Sequence, residues 1–225
     1  MDGIILVDKP KGISSFAVVA QIRRLISETG GQKVKIGHTG TLDPMASGLL
    51  IMVVGNYTKR AGEFSKLDKT YQAELTLGAA STTGDSEGII TPKSGVKPPK
   101  SEVLAALQSF QGQIQQTPPA YSAIKVGGKR AYKLARQGRE VKIDPRAVQI
   151  YEIELLKYKY PKVSFRARVS SGTYIRSLAE DIGAKLGTSA FLSDLKRTQV
   201  GNYDLQDALK TGNLRYLLIK QHLKQ

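Results

Sequence analysis

The sequence predicts an α+β protein with a mixed, mostly antiparallel central sheet flanked by helices. Two segments, Val148 to Tyr160 and Val163 to Val169, look like neighbouring strands joined at Pro161, as in an antiparallel pair. Residues 70–77 alternate apolar and polar side chains, as expected of a strand with one buried face. Helical patterns are inserted between these strands, and this mixture indicates the α+β class.

The other elements follow from local patterns along the chain. Ser14 or Ser15 is expected to cap a helix that runs to about Glu28, because serine is a good N-cap and apolar residues recur on one helical face. The apolar run from Leu49 to Val54 predicts a buried strand. The remaining predicted elements, in chain order, are a strand at 4–7, a helix end at Gly30-Gly31, a short extended piece at 33–36, a long loop at 81–100 in which Asp85 is a turn residue, a helix from its cap Ser101 to Phe110, an edge or irregular strand within 113–126, a helix over 129–137, a helix from Gly172-Thr173 to Leu186, an extended piece at 191–195, and terminal helices at 205–209 and 214–223.

The chain has 225 residues, no clear internal repeat and no linker between independent domains. We therefore expect a single domain over 1–225, with a short helical tail from about residue 204.

The composition points to a polyanionic partner. Lys and Arg number 34 against 19 Asp and Glu, which gives a net charge of +15. Nucleic acid is the first candidate and an anionic membrane surface the second. The cations are spread along the chain, which favours a folded basic face over a disordered basic arm.

Composition also excludes several kinds of site and segment. The absence of cysteine excludes disulfides, thiolate nucleophiles and zinc fingers, and two histidines make a multi-histidine metal site unexpected. The N-terminal apolar run is too short for a signal peptide, and no apolar stretch is long enough to span a membrane. We expect a cytoplasmic protein.

The most informative segment is a glycine-rich loop, Gly37 to Gly48, with the sequence GHTGTLDPMASG. Pro44 fixes its own φ and biases Asp43 toward an extended conformation, so the carboxylate is presented on a stiff loop. An Asp-Pro pair is also a good N-cap and first helical residue, with Gly48 ending a short turn. The two interpretations are compatible, because a capping loop can also aim a carboxylate.

This loop resembles the active-site motif of the TruB-type tRNA pseudouridine synthases, which reads G-H-T-G-T-L-D-P-x-A-[ST]-G. The resemblance covers nearly the whole chain. Further matching segments lie in the family's order at 3–12 and 14–15, 55–59, 69–71 and 77–78, 83–88, 116–125 and 128–132, 170–178, and 195–201. Met45 stands in place of the usual leucine and Ser171 in place of a common lysine. About two dozen residues follow Gly201, so no separate C-terminal PUA domain is expected.

The resemblance implies a pseudouridine synthase fold and a reaction without cofactor or metal, in which a T-loop uridine of tRNA (position 55) flips out and is isomerised. It implies that Asp43 is the essential catalytic residue, acting as nucleophile or base. Attack at C1′, addition to the base, and proton abstraction at C2′ leading to a glycal all remain open. Arg176 is the implied partner of Asp43; taken alone, it could be a helix-surface cation.

The remaining site residues are implied by their positions in the family's motifs. Tyr71 would stack on the target base and assist proton transfer, Tyr174 and Leu195 would help to form the nucleotide pocket, and His38 would lie against the RNA. Without the resemblance, Tyr71 and Leu195 would be interpreted as core residues and His38 as a loop histidine bonded to backbone. Four cations are candidate phosphate contacts: Lys9, Lys59, Lys125 and Arg197.

We expect the T-arm of tRNA as the partner, a monomer, and no obligatory protein or guide RNA. Three other hypotheses stay open. The chain could be an RNA-binding or RNA-folding module with a vestigial site, a guide-RNA-dependent subunit of a ribonucleoprotein, or a basic membrane-surface protein.

Overall fold

The computed structural model describes residues 1–28 and 34–224. The α-helices within these ranges are α1 (Ser15–Glu28), α2 (Ala61–Ser65), α3 (Lys100–Gln108), α4 (Ala131–Ala135), α5 (Ile175–Lys185) and α6 (Tyr216–Gln221). The strands are β1 (Gly3–Lys9), β2 (Ile36–His38), β3 (Ser47–Val54), β4 (Lys69–Leu77), β5 (Ala79–Ser81), β6 (Ile90–Pro92), β7 (Gly112–Gln116), β8 (Lys125–Val126), β9 (Lys129–Arg130), β10 (Arg146–Lys159), β11 (Lys162–Val169), β12 (Ala190–Val200), β13 (Tyr203–Asp204) and β14 (Leu209–Lys210). Short 3₁₀ helices cover Gly55–Arg60, Leu205–Asp207 and Thr211–Asn213. No helix of the described ranges has the length and apolarity needed to cross a membrane.

The chain forms two compact units. Unit 1 comprises Met1–Tyr71 and Leu195–Gln225, and unit 2 comprises Gln72–Asp194. The chain leaves unit 1 within β4 and re-enters it within β12. The single catalytic domain expected from the sequence stays a prediction.

Unit 1 is built on strands in the order β14-β1-β3-β12. β1 and β3 are antiparallel, whereas β14 and β12 join them in parallel. Both faces of the β1–β3 pair are buried, because alternate side chains of a strand point to opposite faces. Ile5 and Val7 pack with the apolar face of α1, while Ile4 and Leu6 pack with Phe64 of α2.

Unit 2 is built on strands in the order β4-β11-β10-β7. β10 pairs antiparallel with both β11 and β7, and α3 packs against β10 and α5. Alternate residues of β11, Val163 to Val169, are buried. The predicted α+β class, with a mixed and mostly antiparallel sheet, is confirmed.

Several predicted elements are confirmed at close to their expected bounds. α1 covers the predicted helix, and its N-terminus is capped by the Ser14 hydroxyl, which accepts a hydrogen bond from the Ala17 N–H at 3.1 Å. β10 and β11 are paired as predicted across Pro161. β7 is the last strand of its sheet order and precedes Pro118-Pro119, as expected of an edge strand.

Other predicted elements are wrong in extent or kind. α3 begins at Lys100 with Pro99 as N-cap, so Ser101 is not its cap. The loop at 81–100 contains β6, which pairs with β5. The helix predicted over 129–137 is limited to α4, because Lys129 and Arg130 form β9 and pair with β8. β8 and β9 are joined by the two-residue turn Gly127-Gly128, a local hairpin signal that the sequence analysis missed, whereas β5 and β6 pair across the longer segment 82–89.

The C-terminal third also departs from the prediction. α5 begins at Ile175, after its N-cap Tyr174, and the extended piece at 191–195 is part of the longer β12. The helix predicted at 205–209 is a single 3₁₀ turn followed by β14. The predicted helix end at Gly30-Gly31 and the start of the extended piece at Lys33 lie outside the described residues.

Candidate active site

Asp43 lies in unit 1, on the loop that connects β2 to β3. Its side chain is half-buried, whereas the adjacent Leu42 is buried in the interior. The Ala46 N–H donates to the Asp43 carbonyl at 3.1 Å and closes a single turn, after which β3 begins at Ser47. A short turn therefore follows Asp43-Pro44 as predicted, but it does not continue into a helix, and it ends before Gly48.

Ser15 holds the residue before Asp43. Its hydroxyl donates to the Leu42 carbonyl at 2.9 Å and accepts from the Leu42 N–H at 2.8 Å. Ser15 is 2 % exposed, so both hydrogen bonds are shielded from water.

Pro44, the residue after Asp43, is held through its carbonyl oxygen. The Pro44 carbonyl accepts from the Gly12 N–H at 2.8 Å, and the Lys9 ammonium lies 3.5 Å from the same oxygen. Lys9 is fully buried and also donates to the carbonyls of Ile13 at 2.7 Å and Pro10 at 2.9 Å. In this conformation its ammonium is not available to an RNA phosphate; its contacts instead tie β1 to the Asp43 loop.

Arg197 hydrogen-bonds to the loop at Gly40, ahead of Asp43. Its Nε donates to the Leu49 carbonyl at 2.7 Å and its Nη2 to the Gly40 carbonyl at 3.0 Å, and the residue is 1 % exposed. β12 runs parallel to β3 with Arg197 opposite Gly48. Gly48 has φ +104°, and a Cβ there would overlap the Arg197 backbone, so only glycine fits. Arg197, like Lys9, is an interior anchor rather than a surface cation.

The other unit 1 candidates lie on neighbouring elements. His38 ends β2 and is half-buried, Tyr71 lies in β4 and is 8 % exposed, and Leu195 lies in β12 and is 7 % exposed. Lys59 is exposed on the 3₁₀ helix Gly55–Arg60. Of the four predicted phosphate contacts in the chain, only Lys59 and Lys125 therefore have exposed side chains.

Lys69 is a buried cation that the sequence analysis did not single out. It is 6 % exposed and donates to the carbonyls of Ser65 at 2.6 Å and Leu67 at 2.5 Å, which closes the turn between α2 and β4. Burial, reinforced by the Arg197 cation, lowers the pKa of Lys69 to about 8.

In unit 2, Tyr174 is held through its backbone and its ring. The Gln116 side-chain amide donates to the Tyr174 carbonyl at 3.0 Å and accepts from the Tyr174 N–H at 2.7 Å. The Arg146 guanidinium lies over the Tyr174 ring, 5.1 Å from its centroid, and donates to the Gly172 carbonyl. β7 and the start of β10 thus set the backbone and ring of a predicted pocket residue.

Arg176 lies at the start of α5 and is 5 % exposed, so its interpretation as a surface cation is wrong. Its Nε lies 3.6 Å from the Asp85 carboxylate, and its guanidinium donates to the carbonyls of Thr83 at 3.1 Å and Tyr121 at 2.8 Å. Asp85 also accepts from the Thr83 hydroxyl at 2.6 Å and the Glu87 N–H at 3.0 Å. Asp85 is therefore a turn residue, as predicted, and also a buried ion-pair partner, which the sequence analysis missed. The predicted pairing of Arg176 with Asp43 stays a prediction.

Lys125 belongs to a basic groove, which we define by the residues that line it along the β8–β9 hairpin and α4. These are Lys125, Gly128, Lys129, Arg130, Lys133, Leu134 and Gln137. The lining contains four cations and no acidic residue, so the groove suits a phosphate backbone.

Neither unit offers an evident metal centre in the described residues. No group of three or more His, Asp or Glu side chains between 1 and 28 or between 34 and 224 is arranged to hold a metal ion.

Solved structures define the class of fold. The chain superposes with a TM-score of 0.74 and 30 % identity on a chain of the crystal structure of a Cbf5-Nop10-Gar1 complex, covering 97 % of this chain and 56 % of that one. A chain of the structure of an H/ACA RNP bound to a substrate RNA containing 2′-deoxyuridine gives a TM-score of 0.71 at 27 % identity, covering 97 % and 55 %. The chain therefore spans about half the length of these solved relatives.

Sequence comparisons define the family. Residues 23–175 match the family model of the TruB family pseudouridylate synthase N-terminal domain, and residues 176–225 match that of the tRNA pseudouridylate synthase B C-terminal domain. Curated relatives named tRNA pseudouridine synthase B include one from Clostridium kluyveri, 43 % identical over 100 % of this chain and 75 % of the relative, and one from Geobacillus kaustophilus, 48 % identical over 93 % and 74 %. The chain belongs to the TruB family of pseudouridylate synthases and has the pseudouridine synthase fold. The predicted absence of a PUA domain stays a prediction.

Among the contacts that were missed from the sequence, those of Ser15, Gln116 and Asp85 hold candidate site residues or their neighbours. Each residue lies in a segment that matches the family, but each contact joins residues far apart in the chain. Only the expectation that Ser14 or Ser15 caps α1 drew attention to one of them.

Proposed function

We propose that the protein isomerises a uridine in the T-loop of tRNA, at position 55, to pseudouridine. The observation that carries the proposal is Asp43, a half-exposed carboxylate on a loop anchored at the residues around it. The family membership and the curated relatives named tRNA pseudouridine synthase B support the same reaction.

The chemistry requires a carboxylate that is ionised and aimed. The N1–C1′ bond of the uridine breaks, the base turns, a C5–C1′ bond forms, C5 loses its proton and N1 gains one, so the overall reaction is an isomerisation. Asp43 is the group that acts on the ribose or the base. Attack at C1′, addition to the base and the glycal route each need the same fixed carboxylate, and all three stay open.

Other residues are proposed to bind the nucleotide or to support Asp43. Tyr71 stacks on the flipped-out base and assists proton transfer, and Tyr174 and Leu195 line its pocket, with His38 against the RNA. Arg176 is proposed as the cation that pairs with Asp43. This role rests on the family motif; in unit 2 the guanidinium contacts Asp85 and the carbonyls of Thr83 and Tyr121, which hold it in place.

The RNA backbone is proposed to lie along the basic groove. Residues 125–146 contain eight Lys or Arg and two acidic residues, and the exposed Lys125 begins this segment. Lys59 is a second exposed phosphate contact. Lys9 and Arg197 no longer belong to this set, because both side chains are buried on backbone carbonyls.

We propose that the protein acts on tRNA as a monomer, without guide RNA or protein partner, in the cytoplasm, where tRNA is used. The solved relative Cbf5 is seen in a complex with Nop10 and Gar1, so a guide-dependent subunit is the competing hypothesis. Activity of the purified chain on tRNA alone distinguishes the two.

The test is pseudouridine mapping on an unmodified tRNA transcript with no other macromolecule added. Wild-type protein is expected to modify the T-loop uridine, and Asp43→Asn is expected to bind the transcript equally but to form no product. Asparagine has nearly the same shape as aspartate, and the contacts of the loop at residues 40, 42 and 44 are made by its backbone, so the loop keeps these anchors in the variant. Circular dichroism of the variant checks that it is folded. Tight binding without product by wild type would refute the proposal.

A further inference from the structure

We propose that Ser15 and Arg197 are positioning residues that hold the Asp43 loop in its reactive geometry before RNA binds. The proposal rests on the proposed role of Asp43. It concerns two buried side chains that hydrogen-bond to backbone atoms of the loop.

Ser15 fixes the peptide groups on both sides of Leu42. Its hydroxyl uses its donor on the Leu42 carbonyl and an acceptor site on the Leu42 N–H, so rotation of Leu42 about φ or ψ would break at least one buried hydrogen bond. Because Asp43 follows directly, the direction of its Cα–Cβ bond depends on those torsions. Ser15 is itself fixed, since it is the first residue of α1.

Arg197 fixes the loop from a different element. The Arg197 guanidinium hydrogen-bonds both to the Leu49 carbonyl in β3 and to the Gly40 carbonyl in the loop. The loop therefore cannot move away from the sheet without losing a charge-assisted hydrogen bond. Its guanidinium is enclosed, which separates this role from phosphate binding.

The three anchors alternate along the chain. Arg197 holds Gly40, Ser15 holds Leu42, and the Gly12 N–H holds Pro44, with Lys9 close to the same oxygen. Asp43 lies between two held residues, and its own side chain remains half-exposed. The backbone that carries the carboxylate therefore needs little further ordering when the uridine arrives, which is the advantage of a preorganised site.

The experiment compares Ser15→Ala with Ser14→Ala. The two serines are neighbours, but Ser14 is exposed and caps α1 without touching the loop. Both variants should lose some thermal stability. Under single-turnover conditions, at a temperature where both are folded by circular dichroism, we expect Ser15→Ala to lose about tenfold to a hundredfold in rate at unchanged tRNA Kd. Ser14→Ala should keep the wild-type rate.

Arg197→Lys separates positioning from phosphate binding. Lysine keeps the positive charge but lacks the planar guanidinium, whose separate nitrogens reach both carbonyls. We expect a lower single-turnover rate, with the tRNA Kd and its dependence on salt unchanged. A wild-type rate combined with weaker binding and a smaller salt slope would overturn the role of Arg197.

Amide hydrogen exchange tests the positioning role of Ser15 without measuring activity. Hydrogen exchange at the Leu42 amide should be slow in wild type and in Ser14→Ala, and fast in Ser15→Ala. Equal protection in all three proteins, or a wild-type rate for Ser15→Ala, would overturn the proposal. A wild-type protein that forms no pseudouridine would refute the proposed function instead, and the exchange result would still report on the loop.

Discussion

Replacement of Gln116 by leucine tests whether one buried side chain orients Tyr174. Gln116 is 1 % exposed at the end of β7, and its amide makes two hydrogen bonds to the Tyr174 backbone. Leucine has a similar volume and cannot hydrogen-bond. The substitution therefore removes both contacts while leaving no large cavity.

The expected loss of stability depends on which hydrogen bonds the Tyr174 carbonyl and N–H retain in the variant. The Tyr174 carbonyl still accepts from the Leu178 N–H at 3.1 Å, so its loss is about 0.5–1 kcal/mol. The Tyr174 N–H loses the acceptor that Gln116 supplies, and an unsatisfied donor in this partly buried position costs about 1–2 kcal/mol. Additional buried apolar surface offsets a part of this, so we expect a net loss of about 2 kcal/mol.

Urea denaturation followed by circular dichroism measures this loss. Gln115→Leu is the matched control, because Gln115 is the adjacent residue of β7 and its side chain is exposed. The control should change the free energy of unfolding by less than about 0.5 kcal/mol. Equal stabilities for the two variants would refute the account of Gln116. Because Tyr174 is a proposed pocket residue, Gln116→Leu should also raise the KM for tRNA more than the control does.

Two further predictions concern buried groups of unit 1. The pKa of Lys69 in the folded protein is about 8, below its ordinary value of 10.5. Between these two pH values the unfolded state therefore binds more protons than the folded state. The free energy of unfolding should rise with pH across this range, by at most about 3 kcal/mol. Denaturation midpoints between pH 8 and 10 should show this rise in wild type and not in Lys69→Met; parallel curves for the two would contradict it. Gly48→Ala should destabilise the protein by about 3 kcal/mol or prevent folding, because its φ is +104° and a Cβ would overlap the Arg197 backbone. Gly62→Ala, in α2 with open space around it, should be neutral or stabilising, and similar melting temperatures for the two alanine variants would refute the close-packing argument.

Local patterns correctly predicted those strands and helices in which the spacing of apolar residues marks the buried face. In β4, the residues Tyr71, Ala73, Leu75 and Leu77 are buried on one face as the alternation predicted, and α1 buries the predicted apolar face. Short paired strands were mispredicted: β6 exists because β5 pairs with it across residues 82–89, and β9 pairs with β8 across the turn Gly127-Gly128, whose hairpin signal was overlooked in favour of a helix.

Cations were the class of residue for which sequence reasoning was least reliable. Lys9 and Arg197 were expected at RNA phosphates, yet both lie in the interior with backbone carbonyls as partners. Nothing in the type or spacing of a lysine distinguishes an exposed head group from one enclosed by a loop, because the enclosing atoms come from elsewhere in the chain. Asp85 was similarly predicted to be a turn residue, and its ion pair with Arg176 depends on α5.

By itself, the sequence determined the family of the protein, the class of its fold and the position of Asp43 on a stiff loop, since ordered motifs and local torsional limits belong to the linear chain. Only the tertiary structure decided what holds that loop. The pairs Ser15–Leu42 and Gly40–Arg197 in unit 1, and Gln116–Tyr174 and Asp85–Arg176 in unit 2, join residues separated by tens of positions or more. Their hydrogen bonds gain strength from burial, and burial is a property of the folded chain rather than of any segment of it.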